Sequence, residues 1–250
     1  MLPLDANVHF IINPVSGNSD APFASIGRFM GEVTCKTTMH VTKVNHSASD
    51  CVADALIDSP DLVVAYGGDG TIMEVATCLH DHDIPLAVLA GGTANVIAHE
   101  LNIPIQTDQA LDLIFNQEHE FLSLDAGKVN ESHFLLRLCL GWEAELSLRP
   151  TTEAKSTWGT LAYTQAALEA LNDTDTVSYE LTFADGSTET VTGINCSVCN
   201  IGNVGLYGVN IGAGISPSDG LLNVLILQSN SLQAMADITQ NLLSSALPLE

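Results

Sequence analysis

The first half of the chain alternates short apolar runs with longer amphipathic stretches. Val8–Ile12, Met39–Val44, Leu62–Tyr66 and Pro85–Leu89 read as buried strands. Ala21–Val33, Ser49–Asp58, Thr71–Leu79, Thr93–Leu101 and Asp108–Asn116 read as the helices between and after them, with Ser47 or Ser49 placed to cap the second. Strands alternating with helices predict a parallel sheet covered on both faces. Ligands of such sheets sit at the carboxyl ends of the strands. Three loops fall there: Asn13–Gly17, Gly67–Thr71 and Gly91–Asn95.

The pattern changes after Ser123. Phe121–Val129 and His133–Trp142 read as paired strands around Asn130-Glu131, and Gly159–Leu171 as a helix. Val177–Phe183 and Ser187–Ile194 flank Asp185-Gly186, a hairpin-turn signal that makes this Asp-Gly structural. Asn195–Ile201 and Leu221–Leu227 are further strands. Glycines 202, 205, 208, 212 and 214 between them suggest loops near a ligand or a tight β core. Ser231–Leu247 carries Leu232, Met235, Ile238, Leu242 and Leu243 on one side. Its other face is not basic, so a core-facing helix is expected over a membrane anchor. The expected organisation is an α/β domain over 1–123 and a β-rich domain over 124–250.

The Gly67–Thr71 loop carries the densest chemistry. A strand ends at Gly67-Gly68-Asp69-Gly70, and Thr71 is placed to cap the next helix with Glu74 as its capping-box partner. Glycines let a ligand approach the backbone, and the free N–H groups of a helix start favour negative charge. A carboxylate in such a loop does not attract phosphate, so Asp69 points to catalysis or to a cation.

Charge narrows the field. The 250 residues carry 30 acidic and 7 basic side chains, for a formal net charge of −23. That balance lacks the electrostatic footprint of a nucleic-acid binder and is repelled by anionic membranes. A phosphate ligand must then rely on backbone N–H groups and a metal ion. No apolar run reaches the length of a membrane-spanning helix, and the N-terminus lacks a basic start and a cleavable apolar segment. A cytoplasmic location is the expectation. The six cysteines, Cys196-Ser197-Val198-Cys199 among them, read as free thiols in a reducing compartment. His80-Asp81-His82 reads as an exposed helix end before a metal pair.

Taken together, these motifs resemble the diacylglycerol kinase catalytic-domain family, which includes bacterial lipid kinases and sphingosine kinases. Asn13-Pro14-Val15-Ser16-Gly17 is similar to that family's NPxSG, and Gly67-Gly68-Asp69-Gly70-Thr71 with Glu74 to its GGDGTxxE. Pro85–Pro104, with Gly92-Thr93-Ala94-Asn95 inside, resembles its third motif. Gly159-Thr160-Leu161-Ala162-Tyr163 and the segment Ser216–Val224 resemble two later ones. GGDGT alone also occurs in NAD kinases.

The resemblance implies a NAD kinase/phosphofructokinase-like N-terminal α/β domain, a β-rich second domain, and ATP- and Mg²⁺-dependent phosphoryl transfer to a diacylglycerol-like lipid alcohol. By the same carry-over Asn13, Ser16, Gly17, Gly67, Gly68, Gly70, Thr71, Glu74, Gly92, Thr93 and Asn95 would hold the nucleotide. Asp69 would bind Mg²⁺ or act as general base. Ser216, Asp219 and Leu221 would form a second cation site. Transient peripheral membrane contact and a homodimer are compatible with it. The sequence departs from the family in two places. Val96 and Ala90 replace an expected aspartate and proline, and no Asp-Gly-Glu occurs: the Asp-Gly pairs at 69, 185 and 219 precede Thr, Ser and Leu. The second domain therefore reads as shortened at its C-terminus. A catalytically impaired nucleotide- or lipid-binding pseudokinase is the alternative, and a NAD-kinase-like enzyme a third.

Overall fold

The computed structural model describes residues 5–17, 22–116, 121–142, 144, 175–202 and 214–228. The expected helices at 159–171 and 231–247, and the 159–163 motif, lie outside them. The chain passes from one compact unit to another between Leu135 and Leu136, later than the Ser123 expected.

In the first unit, strands β1 (Asn7–Ile12), β2 (Lys36–Val41), β3 (Leu62–Gly67) and β4 (Leu86–Ala90) form a parallel sheet in the order β2-β1-β3-β4. Alternation in the strands gives the sheet two apolar faces. Val8, Phe10, Ile12, Leu62, Val64, Tyr66 and Leu89 share one face. They pack with Ile26 of α1 (Phe23–Glu32) and with Ala110, Leu111, Ile114 and Phe115 of α5 (Thr107–Phe115). The Phe29 and Phe115 rings meet at 4.7 Å. Each fully buried side chain of this size contributes about 1.5–3 kcal/mol. Ile11, Val63 and Ala65 face the other way, and α2 (Ala48–Ile57) and α3 (Asp69–Leu79) cover that side with Cys51, Val52, Ala55, Ile72 and Val75.

Local chemistry sets the element ends. Ser47 caps α2 in a capping box: its Oγ accepts from the Asp50 N–H at 3.2 Å, and Asp50 Oδ2 accepts from the Ser47 N–H at 2.8 Å. These bonds hold the Asp50 carboxyl below its ordinary pKa. Strand β2 ends at Val41, earlier than expected. Lys43 and His46 exchange backbone bonds of 2.8 and 3.0 Å in a turn that leaves Val44 fully exposed. Helix α4 is short, Val96–Glu100, because Asn95 before it adopts φ +47°.

The expected strand over 133–142 is two. β5 (Gly127–Val129) and β6 (Ser132–Phe134) form a hairpin in the first unit, where the Leu135 N–H donates to Met73 Sδ at 3.2 Å. β7 (Arg137–Gly141) belongs to the second unit. There it pairs with β10 (Asn195–Cys199), which also pairs with β11 (Asn223–Leu227), giving an antiparallel sheet β11-β10-β7. β8 (Val177–Thr182) and β9 (Thr188–Gly193) form the expected hairpin. Asp185 Oδ1 accepts from the Ser187 N–H at 2.9 Å and Gly186 has φ +82°. Asp185-Gly186 is thus a turn. All six cysteines are free, and Cys196 and Cys199, three apart on β10, point to opposite faces and cannot share one ion.

Candidate active site

The loops after β1, β3 and β4 meet at the carboxyl end of the first sheet, and hydrogen bonds lace them together. The Asn13 N–H donates to the Tyr66 carbonyl at 3.0 Å, and Asn13 Nδ2 donates to Thr71 Oγ1 at 2.8 Å. Ser16 Oγ accepts from the Gly68 N–H at 3.3 Å. The Gly91 N–H donates to the Gly67 carbonyl at 2.8 Å. Asn95 closes its own loop: Oδ1 accepts from the Gly92 N–H at 2.7 Å and Nδ2 donates to the Gly92 carbonyl at 2.9 Å.

Backbone crosses backbone closely here, which explains several glycines. A Cβ on Gly92 would lie 2.5 Å from Gly68 Cα, and one on Gly67 2.5 Å from Thr71 Cβ. Gly17, at φ +72°, faces the Gly91 carbonyl. Gly70 differs: no atom lies within 4 Å of the position its Cβ would take. The protein leaves open space above Gly70, which a ligand can fill.

Helix α3 begins at Asp69, with Gly68 as its N-cap and no side-chain cap. The expected Thr71 cap with Glu74 is therefore not formed. Thr71 sits in the first turn and bonds Asn13, while Glu74 Oε1 accepts from the Ser49 N–H at 2.8 Å and ties α3 to the start of α2. Glu74 is a structural tie between helices. The N–H groups of Asp69, Gly70 and Thr71 have no intrahelical partner by position, while those of Gly68, Gly91 and Gly92 are spent on the protein. An anion at this loop meets the first three amides of α3 and the positive end of its dipole.

Asp69 joins two loops. Its Oδ1 accepts from the Ile97 N–H in α4 at 3.1 Å, which fixes the carboxylate. Its Oδ2 has no protein partner among the described residues. One anchored carboxylate with a spare oxygen suits Mg²⁺, which takes one or two carboxylates plus substrate phosphates. Elsewhere, no group of three or more His, Cys, Asp or Glu side chains converges among the described residues. Of the other expected nucleotide ligands, Thr93 is exposed. Asn13, Ser16 and Asn95 direct their side-chain bonds to the protein and so shape the loops.

The second expected cation site looks different. Asp219 is exposed, and its Oδ1 accepts from the Leu221 N–H at 3.0 Å; the Ser218 N–H donates to Ser216 Oγ at 3.4 Å. Gly220 has φ +78°. These are local turn bonds.

Sequence reading passed over a buried histidine pair behind the site. His9 of β1 is fully buried, and its Nδ1 lies 2.9 Å from His40 Nε2 on β2. His9 Nε2 has no hydrogen-bond partner and lies 4.0 Å from Asp58 Oδ2. Burial pushes both imidazole pKa values down, and the neighbouring His40 ring depresses the value at His9 further. A histidine at the same parity as Ile11 in a strand buried on both faces was the available signal.

Residues 7–129 match the diacylglycerol kinase catalytic domain, and residues 139–245 match the YegS C-terminal NAD kinase beta sandwich-like domain. The chain is 31% identical to a diacylglycerol kinase of Bacillus subtilis, over 64% of this chain and 54% of that protein. It is 27% identical to an uncharacterized protein of Synechocystis, over 96% of this chain and 57% of that protein. It thus spans little more than half the length of these relatives. A crystal structure of a diacylglycerol kinase from Bacillus anthracis superposes with a TM-score of 0.72 at 23% identity, covering 94% of this chain and 78% of that one. That likeness is one of fold.

Proposed function

For a chain that belongs to the diacylglycerol kinase catalytic-domain family, we propose ATP-dependent transfer of the γ-phosphoryl group to the hydroxyl of a diacylglycerol-like lipid. The observation that carries this reading is the α3 start. Three amides, open space at Gly70 and one anchored carboxylate stand together there. Phosphoryl transfer asks a protein for positioning and charge stabilisation more than for covalent chemistry. The amides of Asp69, Gly70 and Thr71 hold the nucleotide phosphates. Asp69 Oδ2 faces the reacting groups, either as a Mg²⁺ ligand or as the base that takes the proton of the lipid hydroxyl. The hydroxyl oxygen bonds to the γ-phosphorus as the bond to the β-bridging oxygen breaks, and ADP leaves. Mg²⁺, when bound, neutralises phosphate charge that this acidic chain cannot match with cationic side chains.

The test is ATP turnover with diacylglycerol in mixed micelles, beside equilibrium Mg·ATP binding. Gly70→Asp places a carboxylate in open space, so the chain folds and nucleotide binding is lost. Unchanged binding in that variant removes the loop from the site. Binding without lipid phosphorylation in the wild type replaces the kinase with the nucleotide-binding pseudokinase.

A further inference from the structure

Tyr66 carries the last side chain of β3, ahead of Gly67-Gly68, and it touches the loops on either side. Its carbonyl accepts from the Asn13 N–H at 3.0 Å. Its ring belongs to one core cluster with Phe10, Ile12, Ile26 and Leu89, and 3% of its surface is exposed. The Phe10, Phe29 and Phe115 rings of that cluster pack on one another. The far end of the Tyr66 ring instead meets loop backbone. A Cβ on Gly91 would lie 2.6 Å from Tyr66 Cζ, and 2.9 and 3.0 Å from its two Cε atoms. Gly91 is not left-handed, so the ring, and not the backbone conformation, demands glycine there.

The contact continues toward the reacting groups. The Gly91 N–H donates to the Gly67 carbonyl at 2.8 Å, which seats the turn between the strand end and the ring. Gly92 is closed by two bonds with Asn95. Asn95 is the N-cap of α4, and two residues on, the Ile97 N–H donates to Asp69 Oδ1 at 3.1 Å. Helix position leaves that amide without an intrahelical partner, so Asp69 supplies its acceptor.

We infer that Tyr66 is a positioning residue for Asp69. Its ring sets the height of the Gly91–Gly92 turn, and the turn, through Asn95 and Ile97, sets the direction of the carboxylate. The inference rests on the kinase reading only for what Asp69 does; the chain of contacts stands without it. A close-packed interior passes a displacement on instead of absorbing it. A shift of about 1 Å at a reacting group costs on the order of a hundredfold in rate.

The test is an exchange of size between positions 66 and 91. Gly91→Ala sets a Cβ against the ring and should lift the turn. Hydrogen exchange of the Ile97 amide, read by NMR on the full chain without nucleotide, should then speed up at least about tenfold, because a bond to a charged acceptor is loosened. Turnover with Mg·ATP and diacylglycerol should fall roughly tenfold to a hundredfold, more in kcat than in KM, since the α3 amides that hold the phosphates stay in place. Adding Tyr66→Leu to Gly91→Ala removes Cζ and both Cε atoms and should restore most of each loss. Adding Tyr66→Phe keeps those atoms and should restore nothing. Urea midpoints report that each variant is folded. Tyr66→Leu alone withdraws the support from Gly91 and should speed Ile97 exchange by itself, which decides the matter if Gly91→Ala does not fold. Ile97 exchange that neither single variant changes overturns the inference. So does a loss that Tyr66→Leu fails to repair, or that Tyr66→Phe repairs as well, because the bulk of the ring is then not the cause. A wild type without lipid phosphorylation fails the kinase reading alone, and the exchange pattern still decides the role of Tyr66.

Discussion

Asp69-Gly70 and Asp219-Gly220 are the same dipeptide in two surroundings. At Asp69 the carboxylate reaches an amide 28 residues away, and the neighbouring loops are tied by bonds spanning 58 and 52 residues. At Asp219 the carboxylate reaches an amide two residues on, in an exposed loop. The first arrangement exists only in the folded unit; the second forms in any short turn. A short motif becomes a site when distant loops fix its side chain and leave a polar atom over. Asp69 meets that condition through Oδ2, whereas the turn at Asp219 fixes the side chain by local bonds alone.

The strongest test of the contrast is Asp69→Asn. An asparagine Oδ1 still accepts from the Ile97 N–H, so the loops stay joined and the melting temperature should move little. The charge and the basic oxygen are gone, and turnover should fall about 10²–10⁴-fold, the range for a positioned acid–base group. Loss of the fold instead would make Asp69 a structural tie like Glu74.

Glycines give the next largest effect. Gly92→Ala forces a Cβ to 2.5 Å from Gly68 Cα, which is backbone and cannot step aside, and to 2.9 Å from Asn95 Oδ1, which is held in the loop-closing bond to the Gly92 N–H. Overpacking of this kind costs about 1–3 kcal/mol, read as a lower urea midpoint. Gly70→Ala meets nothing within 4 Å. Alanine in a helix is favoured over glycine by roughly 0.5–1 kcal/mol, so this variant should be equally or more stable while binding Mg·ATP more weakly. Equal stability losses at the two positions would dissolve the distinction between a packed crossing and a ligand space.

Acid tests the long-range polar core without mutation. His9 and His40 are held neutral by burial, with Lys36, His46, Asp54 and Asp58 as the charged neighbours. Their folded pKa values lie below the ordinary 6.5. Protons bind the unfolded chain first, so stability is fully present above 6.5 and falls as pH drops through that value toward the folded ones. Urea midpoints between pH 7.5 and pH 5.5 should decline (roughly one unit either side of the histidine value), and His9→Gln should flatten the decline. A midpoint that does not move over this window would mean that the pair takes up protons in the folded state as readily as in the unfolded one.

Much of this was legible in the chain. Short apolar runs at Val8–Ile12 and Leu62–Tyr66, with a glycine in the loop that follows each, give the parallel sheet and its loops, because a strand buried on both faces and a tight turn each demand particular residue types. What could not be read was which partner each polar atom takes. Glu74 stands at capping-box distance from Thr71, yet α3 starts at Asp69, and the carboxylate reaches α2 instead. Strand β6 stops at Phe134 because the chain leaves for another sheet, which no local pattern in His133–Trp142 records. Asn95 carries a family motif, but its amide is consumed in closing the Gly92 loop. Local periodicity encodes elements; pairing between distant loops depends on the assembled sheet.

The smallest effect belongs to Asp219. Asp219→Asn keeps an oxygen for the Leu221 N–H and removes only the charge. The group is exposed, so stability should change by no more than about 0.5 kcal/mol, as for surface positions generally. Without a cation at the loop, the change is the same with and without Mg²⁺. A cation held by Asp219 with the carbonyls of Ser216 and Leu221 would stabilise the wild type in proportion to RT ln(1 + [L]/Kd) and leave the variant behind. Thermal melts of both proteins across a Mg²⁺ series, repeated with Ca²⁺, read this directly. Parallel melting curves make Asp219-Gly220 a turn like Asp185-Gly186. Curves that diverge as the cation rises make it a site assembled from local bonds alone, and break the rule that the comparison with Asp69 suggests.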